Sequence, residues 1–177
     1  MKIIRKIFFI IFALLNKINL HFKLRFLGNF LDLLRVHILK ICGSIIGQNS
    51  FIYPNVLIID PKKLKIGNNS NIGSNSEIFN YNYFEIGDDV DIGTQFYINT
   101  NNHKFDDPSK KLAYQGTISK RITIGSDIWI GARVSILSGV RINDRVVIGA
   151  GSVVTQDLES GYVYAGVPAK KIKKLNS

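Results

Sequence analysis

A six-residue period of aliphatic side chains runs through most of this chain and limits what it can fold into. The grid shifts by two residues before Ile66, Ile86 and Ile124, and it is interrupted between Ile98 and Ile122. Fourteen isoleucines and one valine lie on it: Ile46, Ile52, Ile58, Ile66, Ile72, Ile78, Ile86, Ile92, Ile98, Ile124, Ile130, Ile136, Ile142, Ile148 and Val154. A period of six fits neither a helix nor a heptad, but it is typical of a β-helix solenoid.

The residues around the grid predict a three-sided column. Glycine often follows the grid residue directly, and a small or β-branched residue often follows it four places later. Glycine tolerates φ > 0 or the close backbone approach of a corner, and β-branched side chains suit stacked strands. We therefore predict an all-β solenoid over residues 44–159, with about six coils. Each two-residue shift inserts one extra pair of residues, directly before Ile66, Ile86 and Ile124. These three pairs should lie at equivalent corners, so that coils spaced 20 residues apart still stack in register.

The 43 residues before the grid read as one or two amphipathic helices. An apolar run at 7–15 is too short to span a bilayer, and no signal-peptide cleavage site follows it. Two roles fit residues 1–41 equally well. They lie on an anionic membrane surface, or they cap the open end of the solenoid or pack between subunits.

The charge of the chain is unevenly distributed. Residues 1–43 carry a net charge of +7, residues 44–169 carry −1, and residues 170–177 carry +4. A nucleic-acid binder would carry its charge on a folded face with aromatic platforms, so we expect no nucleic-acid partner. The single cysteine, Cys42, excludes an intramolecular disulfide, suits a reducing compartment and is expected to be buried and inert.

The grid is interrupted by a long insertion, residues 99–121, which contains His103. Long excursions from a compact scaffold are usually functional or disordered. An imidazole titrates near neutral pH, so it could deprotonate a sugar hydroxyl; an ordinary loop histidine bonded to backbone is the equally weighted alternative. Stacking of the stretch after Ile98 over the stretch after Ile78 predicts that amides surround this histidine. The expected substrate-binding amides are Asn80, Asn82, Asn101 and Asn102.

Residues 122–174 read ITIGSDIWIGARVSILSGVRINDRVVIGAGSVVTQDLESGYVYAGVPAKKIKK. This stretch closely resembles the hexapeptide-repeat acyltransferases, in particular sugar O-acetyltransferases related to galactoside, maltose and nodulation-factor acetyltransferases. The resemblance implies a left-handed parallel β-helix with an N-terminal helical segment and a short C-terminal helix or basic tail at 160–177. It also implies a homotrimer that binds acetyl-CoA in the cleft between neighbouring subunits.

The resemblance also implies roles for individual residues. His103 matches the catalytic base, and Trp129 matches the tryptophan that lines the cofactor and acceptor cleft. Strand alternation independently points Trp129 outward, where subunit packing is the alternative role. Backbone N–H groups at Ala132 and Ala150 match those that hold the pantetheine arm. The other matching cofactor contacts are Thr155 and, near the CoA phosphates, Lys170 and Lys173. Gln156 departs from the lysine common in relatives, which removes one phosphate contact.

These observations predict an acetyl-CoA-dependent O-acetyltransferase that acts on a sugar hydroxyl of a surface glycan, a polysaccharide or a precursor, by direct transfer without an acyl-enzyme. The expected location is the cytoplasm, in peripheral contact with the inner face of the cell membrane. Two alternatives remain: an N-acetyltransferase acting on an amino-sugar nucleotide, and a non-catalytic hexapeptide-repeat scaffold. A γ-type carbonic anhydrase needs three zinc-binding histidines, and only His103 lies outside the N-terminal segment, so we expect no metal.

Overall fold

A computed structural model describes residues 2–17 and 25–176 of the chain, with the side chains of 6–15, 17 and 30–176. The helices are α1 (Lys2–Asn16) and α2 (Arg25–Cys42), and two short 3-10 helices lie at Pro61–Lys63 and Leu112–Tyr114. The strands before the insertion are β1 (Ile45–Ile46), β2 (Phe51–Ile52), β3 (Leu57–Ile58), β4 (Leu64–Ile66), β5 (Asn71–Ile72), β6 (Glu77–Phe79), β7 (Phe84–Ile86), β8 (Val90–Ile92) and β9 (Tyr97–Asn99). Those within and after it are β10 (Asn101–His103), β11 (Thr117–Ser119), β12 (Ile122–Ile124), β13 (Ile128–Ile130), β14 (Ser135–Ile136), β15 (Arg141–Ile142), β16 (Val146–Ile148), β17 (Val153–Val154), β18 (Tyr162–Ala165) and β19 (Lys170–Lys174).

The strands form three sheets, one for each side of a column. Face A holds β1, β4, β7, β12 and β15; face B holds β2, β5, β8, β13, β16, β18 and β19; face C holds β3, β6, β9, β14 and β17. All neighbours pair in parallel except β18 and β19. The predicted solenoid is confirmed, and the arrangement agrees with the left-handed parallel β-helix that the resemblance implied.

The six-residue grid forms the core of the column. Every grid residue is at most 6% exposed. On face A, Ile46 pairs with Ile66, Ile66 with Ile86, Ile86 with Ile124 and Ile124 with Ile142. The two-residue shifts therefore fall at one corner, between faces C and A, and leave the stacking intact. Identical side chains stacked in register bury their full apolar surface, at about 2 kcal/mol for each side chain relative to exposure.

The corners show why glycine recurs in the sequence. Positive φ occurs three residues after the grid position, mostly at polar residues such as Asn49, Asn69 and Asp89, and not at the glycine that follows the grid residue. Asn and Asp tolerate this left-handed conformation better than other side chains. The adjoining glycines are needed for close approach instead: a Cβ at Gly73 would lie 2.5 Å from the carbonyl carbon of Gly93 in the next coil.

Substitution of Gly73 by alanine is expected to lower the free energy of unfolding by about 3 kcal/mol, the upper end of typical overpacking costs. The atoms that the new methyl group would meet belong to the backbone of the next coil, so they cannot rotate away. Gly116→Ala is the control, because a Cβ there meets nothing within 4 Å and only the strain of φ +76 remains. Urea unfolding followed by circular dichroism measures both. Equal losses would show that coil spacing does not require Gly73.

The N-terminal helices close the first coil of the column. Helix α2 packs on β1 and β2, and its inner face buries Val36, Leu39 and Cys42. Capping, one of the two predicted roles of the segment, is therefore confirmed for α2, and Cys42 is buried as predicted. Helix α1 packs mainly against α2, and its Phe12 is buried in the same core cluster. Arg35 of α2 joins the two helices, because it donates to the Asp32 carboxylate and, at 3.2 Å, to the Leu15 carbonyl.

The last residues differ from the predicted short helix or tail. They form an antiparallel hairpin in which Val163 pairs with Lys173 and Ala165 with Lys170. Strand β18 continues face B in parallel with β16, so the column extends past residue 159 to Ala165. The physical reason is that β16 would otherwise present an open sheet edge, which β18 pairs and β19 then protects with lysines.

Candidate active site

The insertion leaves the column at the corner between faces C and A. Strand β9 ends at Asn99 and β12 begins at Ile122, which pairs with Phe84 of the previous coil. Glycines follow most grid residues at the other two corners, whereas this corner carries larger residues such as Phe79 and Leu137. A wider corner can release a long segment without disturbing the stacking on either side. The 23-residue insertion therefore protrudes from an intact column.

His103 lies at the end of β10, in a two-stranded antiparallel hairpin with β11. It pairs with Thr117, and its side chain is exposed. Within the described part of the chain, neither ring nitrogen forms a hydrogen bond, so both remain available for a substrate. Successive strand residues point to opposite sides. The imidazole therefore shares one side of the hairpin with Asn101, and Asn102 points to the other.

The base of the hairpin is tied to the coils on both sides of it. Asn82 donates through Nδ2 to the Ser119 carbonyl at 3.0 Å, and the Ser119 hydroxyl donates to Asn101 Oδ1 at 2.9 Å. The buried Thr100 accepts the Asn82 N–H at 2.9 Å through Oγ1, and its carbonyl accepts the Ser138 hydroxyl at 2.6 Å. These bonds fix the hairpin's direction, and with it the position of His103.

The four predicted substrate-binding amides have different environments. Asn80 is fully buried, donates through Nδ2 to the Asp60 carbonyl at 2.7 Å, and accepts the Asp60 N–H at 3.0 Å. The prediction for Asn80 is wrong, because its amide completes the backbone bonding of the corner in the previous coil. Asn82 and Asn101 anchor the hairpin. Asn102 is exposed, and its side chain forms no hydrogen bond with the described residues.

A second feature lies along the edge between faces B and C. The corner between faces A and B provides the comparison. There, the residue two places after the grid residue donates its backbone N–H to a side chain of the next coil. Gln48 donates to Asn68 Oδ1 at 2.9 Å, and Asn68 donates to Asp88 Oδ1 at 2.6 Å. The equivalent residues between faces B and C include Ala132 and Ala150. An alanine side chain cannot accept a hydrogen bond, so no such bond forms from the Ala132 N–H to the side chain of Ala150.

The N–H groups of Ala132 and Ala150 have no acceptor within the described residues. They lie on consecutive coils, at about the 4.8 Å spacing of neighbouring strands. Unpaired N–H groups in a row can bind the carbonyl groups of an extended linear ligand. The family resemblance implied such a role for both alanines, and their N–H groups are available for it.

Lys170 continues the same edge at the end of the column. It pairs with Ala165, which packs against Gly149 directly before Ala150. Lys173 lies farther along β19 and is also exposed. Lys171 differs, because its Nζ bonds Glu159 at 2.7 Å and lies 4.2 Å from the Tyr162 ring centroid. The hydrogen bond to Glu159 raises the pKa of the Lys171 ammonium.

Trp129 points outward from face B, as predicted, and is 60% exposed. It lies between Asp91 and Val147 of the neighbouring coils. These three side chains, with Arg145 and Asn176, line an open groove of about 580 Å³. A large exposed indole over a groove offers substantial contact area to a ligand or to another subunit.

The predicted site residues occupy separate parts of a single chain. His103 and the exposed Thr155 belong to the corner between faces C and A, whereas Ala132, Ala150 and Lys170 follow the edge between faces B and C. Face C lies between these two edges.

Two family models match the chain. The model for the bacterial transferase hexapeptide, six repeats, covers residues 121–156, and the model for the hexapeptide repeat of succinyl-transferase covers residues 63–99. Both matched stretches lie within the column. The first includes Trp129, Ala132, Ala150 and Thr155.

Known proteins resemble the chain over most of its length. Galactoside O-acetyltransferase of Escherichia coli is 34% identical over 142 residues, which is 80% of this chain and 69% of that protein. A putative colanic acid biosynthesis acetyltransferase of Escherichia coli is 31% identical over 140 residues, 79% of this chain and 74% of that protein. A hexapeptide-repeat acetyltransferase from Vibrio cholerae, solved in complex with acetyl-CoA, has a TM-score of 0.75 and 31% identity, covering 81% of this chain and 77% of that one.

Proposed function

Because the chain belongs to the hexapeptide-repeat acetyltransferases, we propose that it transfers the acetyl group of acetyl-CoA to a hydroxyl of a sugar in a surface glycan, a polysaccharide or a precursor of one. This proposal rests on one observation, the placement of two chemically different features on two edges of the column. The row of unpaired N–H groups at Ala132 and Ala150 leads toward Lys170 along one edge, while a rigidly anchored hairpin presents His103 at another. The first feature suits an extended, phosphate-bearing thioester, and the second suits a general base.

The two edges form one site when identical chains assemble. In a closed cyclic trimer with parallel columns, the corner between faces C and A of one chain can face the edge between faces B and C of its neighbour. The His103 hairpin then reaches across the cleft toward the thioester. Within that cleft, the exposed Trp129 provides a wall.

The proposed reaction is a direct transfer. The Nε2 or Nδ1 atom of His103 accepts the proton of the acceptor hydroxyl as its oxygen attacks the thioester carbonyl carbon. A backbone N–H of the cleft donates to the oxyanion that forms there. When the carbon–sulfur bond breaks, the imidazolium returns the proton to the sulfur, and CoA leaves as the thiol. His103 thus ends the cycle in its starting form.

The remaining predicted residues bind and orient. Ala132 and Ala150 donate to pantetheine carbonyls, Thr155 contacts the cofactor, and Lys170 and Lys173 neutralise its phosphates. Among the predicted amides, the exposed Asn102 has a free side chain, but it points to the side of the hairpin opposite His103 and would contact only a part of the acceptor away from the reacting hydroxyl. Asn82 and Asn101 act indirectly, by holding the hairpin in place.

An acetyl-CoA consumption screen against free sugars, nucleotide sugars and polysaccharides tests this function. Release of CoA thiol should depend on a hydroxyl acceptor, and nuclear magnetic resonance of the product should place the acetyl group on oxygen. An acetyl group found on an amino-sugar nitrogen would select the N-acetyltransferase instead. If acetyl-CoA does not bind at all, the chain is a scaffold and the proposal fails.

Replacement of Trp129 by alanine is expected to raise the KM for acetyl-CoA or for the acceptor by about tenfold, because a contact surface of this size typically contributes 1–2 kcal/mol. The kcat should change less, since the indole takes no part in proton transfer. Trp129→Phe keeps an aromatic wall and should recover most of the affinity. Steady-state kinetics with both substrates, at unchanged oligomeric mass, measures the effect. Unchanged KM values for both would assign Trp129 to packing alone.

A further inference from the structure

Helix α1 has two different faces, and one of them is apolar without a partner. The inner face packs toward α2 and the core through Phe8, Phe9, Phe12 and Leu15. The outer face carries exposed aliphatic side chains at helical spacing: Ile7, Ile10, Ile11 and Leu14. Helix α2 adds the exposed Phe30 and Leu33. We call these six side chains the outer patch. Several large apolar side chains exposed together on one helix face mark an interaction surface.

The outer patch is not needed to close the column. The inner face of α2 already covers the first coil, with Val36, Ile38 and Leu39 all buried. Capping therefore accounts for one side of the helical pair and leaves the other side unexplained. A helix face that only contacts water would ordinarily carry polar residues at such exposed positions, so the outer patch indicates a separate partner.

The segment that carries the patch is strongly positive. Residues 1–43 contain eight Lys/Arg residues and a single acid, Asp32. Asp32 is buried and paired with Arg35, and the segment as a whole keeps a net charge of +7. Burial lowers the pKa of the Arg35 guanidinium, and the neighbouring Asp32 carboxylate opposes that change. Lys6 of α1, Lys17 directly after α1 and Lys40 of α2 are exposed.

We propose that the outer patch docks this protein on an anionic lipid bilayer, with α1 lying in the plane of the interface. The aliphatic side chains would enter the boundary between headgroups and acyl chains, and the surrounding lysines would contact lipid phosphates. In the described ranges, neither helix has the length and apolarity to cross a bilayer. At 15 residues, α1 is about 22 Å long, shorter than the roughly 30 Å hydrocarbon core.

A second copy of the chain suits this patch less well. Contact between two copies through the outer patch would bring together two segments that each carry a net charge of +7. An anionic bilayer supplies the opposite charge and the apolar layer together. Docking would also bring the column close to glycans that are assembled on lipids, but it does not depend on which acceptor is acetylated.

Vesicle flotation of the full-length protein tests the proposal. Vesicles of phosphatidylglycerol and phosphatidylcholine in equal parts are compared with vesicles of phosphatidylcholine alone. The charge argument predicts at least about tenfold tighter partitioning to the anionic vesicles, and this preference should shrink as salt is raised. Absence of binding to the anionic vesicles would overturn the proposal.

A matched pair of double variants locates the contact. Ile10→Glu with Leu14→Glu should reduce partitioning by about 100-fold, since each buried aliphatic side chain contributes roughly tenfold. Ile45→Glu with Leu112→Glu changes the same residue types at nearly the same exposure, 62% and 66% against 60% and 64%, and should leave partitioning within about twofold. Equal losses of vesicle partitioning in both double variants would show that the outer patch does not contact the bilayer. A change in solution mass confined to the helix variant would assign the patch to another copy.

The outcome is independent of the acetyltransferase proposal. CoA binding and acetyl transfer to a soluble acceptor are measured on the same variants, and the helix variant should retain both, because its substitutions lie far along the chain from the predicted site residues. Loss of vesicle binding with retained transfer supports docking. Lack of transfer by the wild type, with vesicle binding intact, would count against the enzyme function alone.

Discussion

Alanine in place of His103 is expected to lower kcat by about 10²–10⁴-fold, the usual range for loss of a general base. The imidazole is the one titratable side chain on the hairpin strand β10, and its ring nitrogens are not engaged within the described part of the chain. Without it, the acceptor hydroxyl has to lose its proton to water. The KM for acetyl-CoA should change little, because the cofactor is held along a different edge. Initial rates of CoA thiol release at saturating substrate measure the change.

His37→Ala provides the matched control for this variant. His37 is an exposed histidine on α2, at the capped end of the column. Its replacement should leave kcat within about twofold, as is usual for surface substitutions away from a site. Both variants should keep the wild-type oligomeric mass and CoA affinity. Turnover of the His103 variant within a few-fold of wild type, under those conditions, would remove this residue from the mechanism.

Truncation of Phe84 to alanine is expected to lower the free energy of unfolding by about 3–5 kcal/mol, a large part of the 5–15 kcal/mol typical of a domain. The ring is fully buried and lies 6.3 Å from the ring centre of Phe96. It fills the inside of the widened corner between Leu64 and Ile122, where the hairpin leaves the column. A cavity there cannot collapse easily, because stacked coils above and below hold the walls apart.

Phe105→Ala is the corresponding control, because this phenylalanine of the insertion is 68% exposed. It should change the free energy of unfolding by no more than about 0.5 kcal/mol. Urea midpoints for both variants, analysed with a common slope, give the comparison. A Phe84 variant as stable as the Phe105 variant would mean that the corner is filled by other side chains.

The sequence alone was sufficient to predict the column. Burial of a grid residue such as Ile72 requires only that every sixth side chain point inward, so the period itself specifies three sides and the stacking. The position of the widened corner also followed, because the same two-residue shift occurs before Ile66, Ile86 and Ile124. These properties depend on residues close together in the chain, and local patterns record them directly.

The sequence was less informative about the corner glycines and the C-terminus. It allowed either positive φ or close approach at Gly73, and the packing of the next coil selected close approach. The lysine-rich end read as a helix or a tail, but pairing of Lys173 with Val163 made it a strand. In both cases a neighbour that is distant along the chain determined the outcome, and no local propensity reports such a neighbour.

The candidate site shows the same division between local pattern and tertiary context. Strand alternation, a local signal, pointed to Trp129 as an outward side chain. The residues around His103 left a base and an ordinary loop histidine equally weighted, and the assignment as a base came from the family resemblance. Only the fold showed that the Asn80 amide forms hydrogen bonds with the Asp60 backbone, whereas the Asn102 side chain forms none with the described residues. Likewise, the unpaired N–H groups at Ala132 depend on what the next coil lacks. The sequence thus determined the column and its inward residues, through a period that burial imposes; the tertiary structure decided which polar groups stay available, because hydrogen bonds between coils link residues about 20 positions apart.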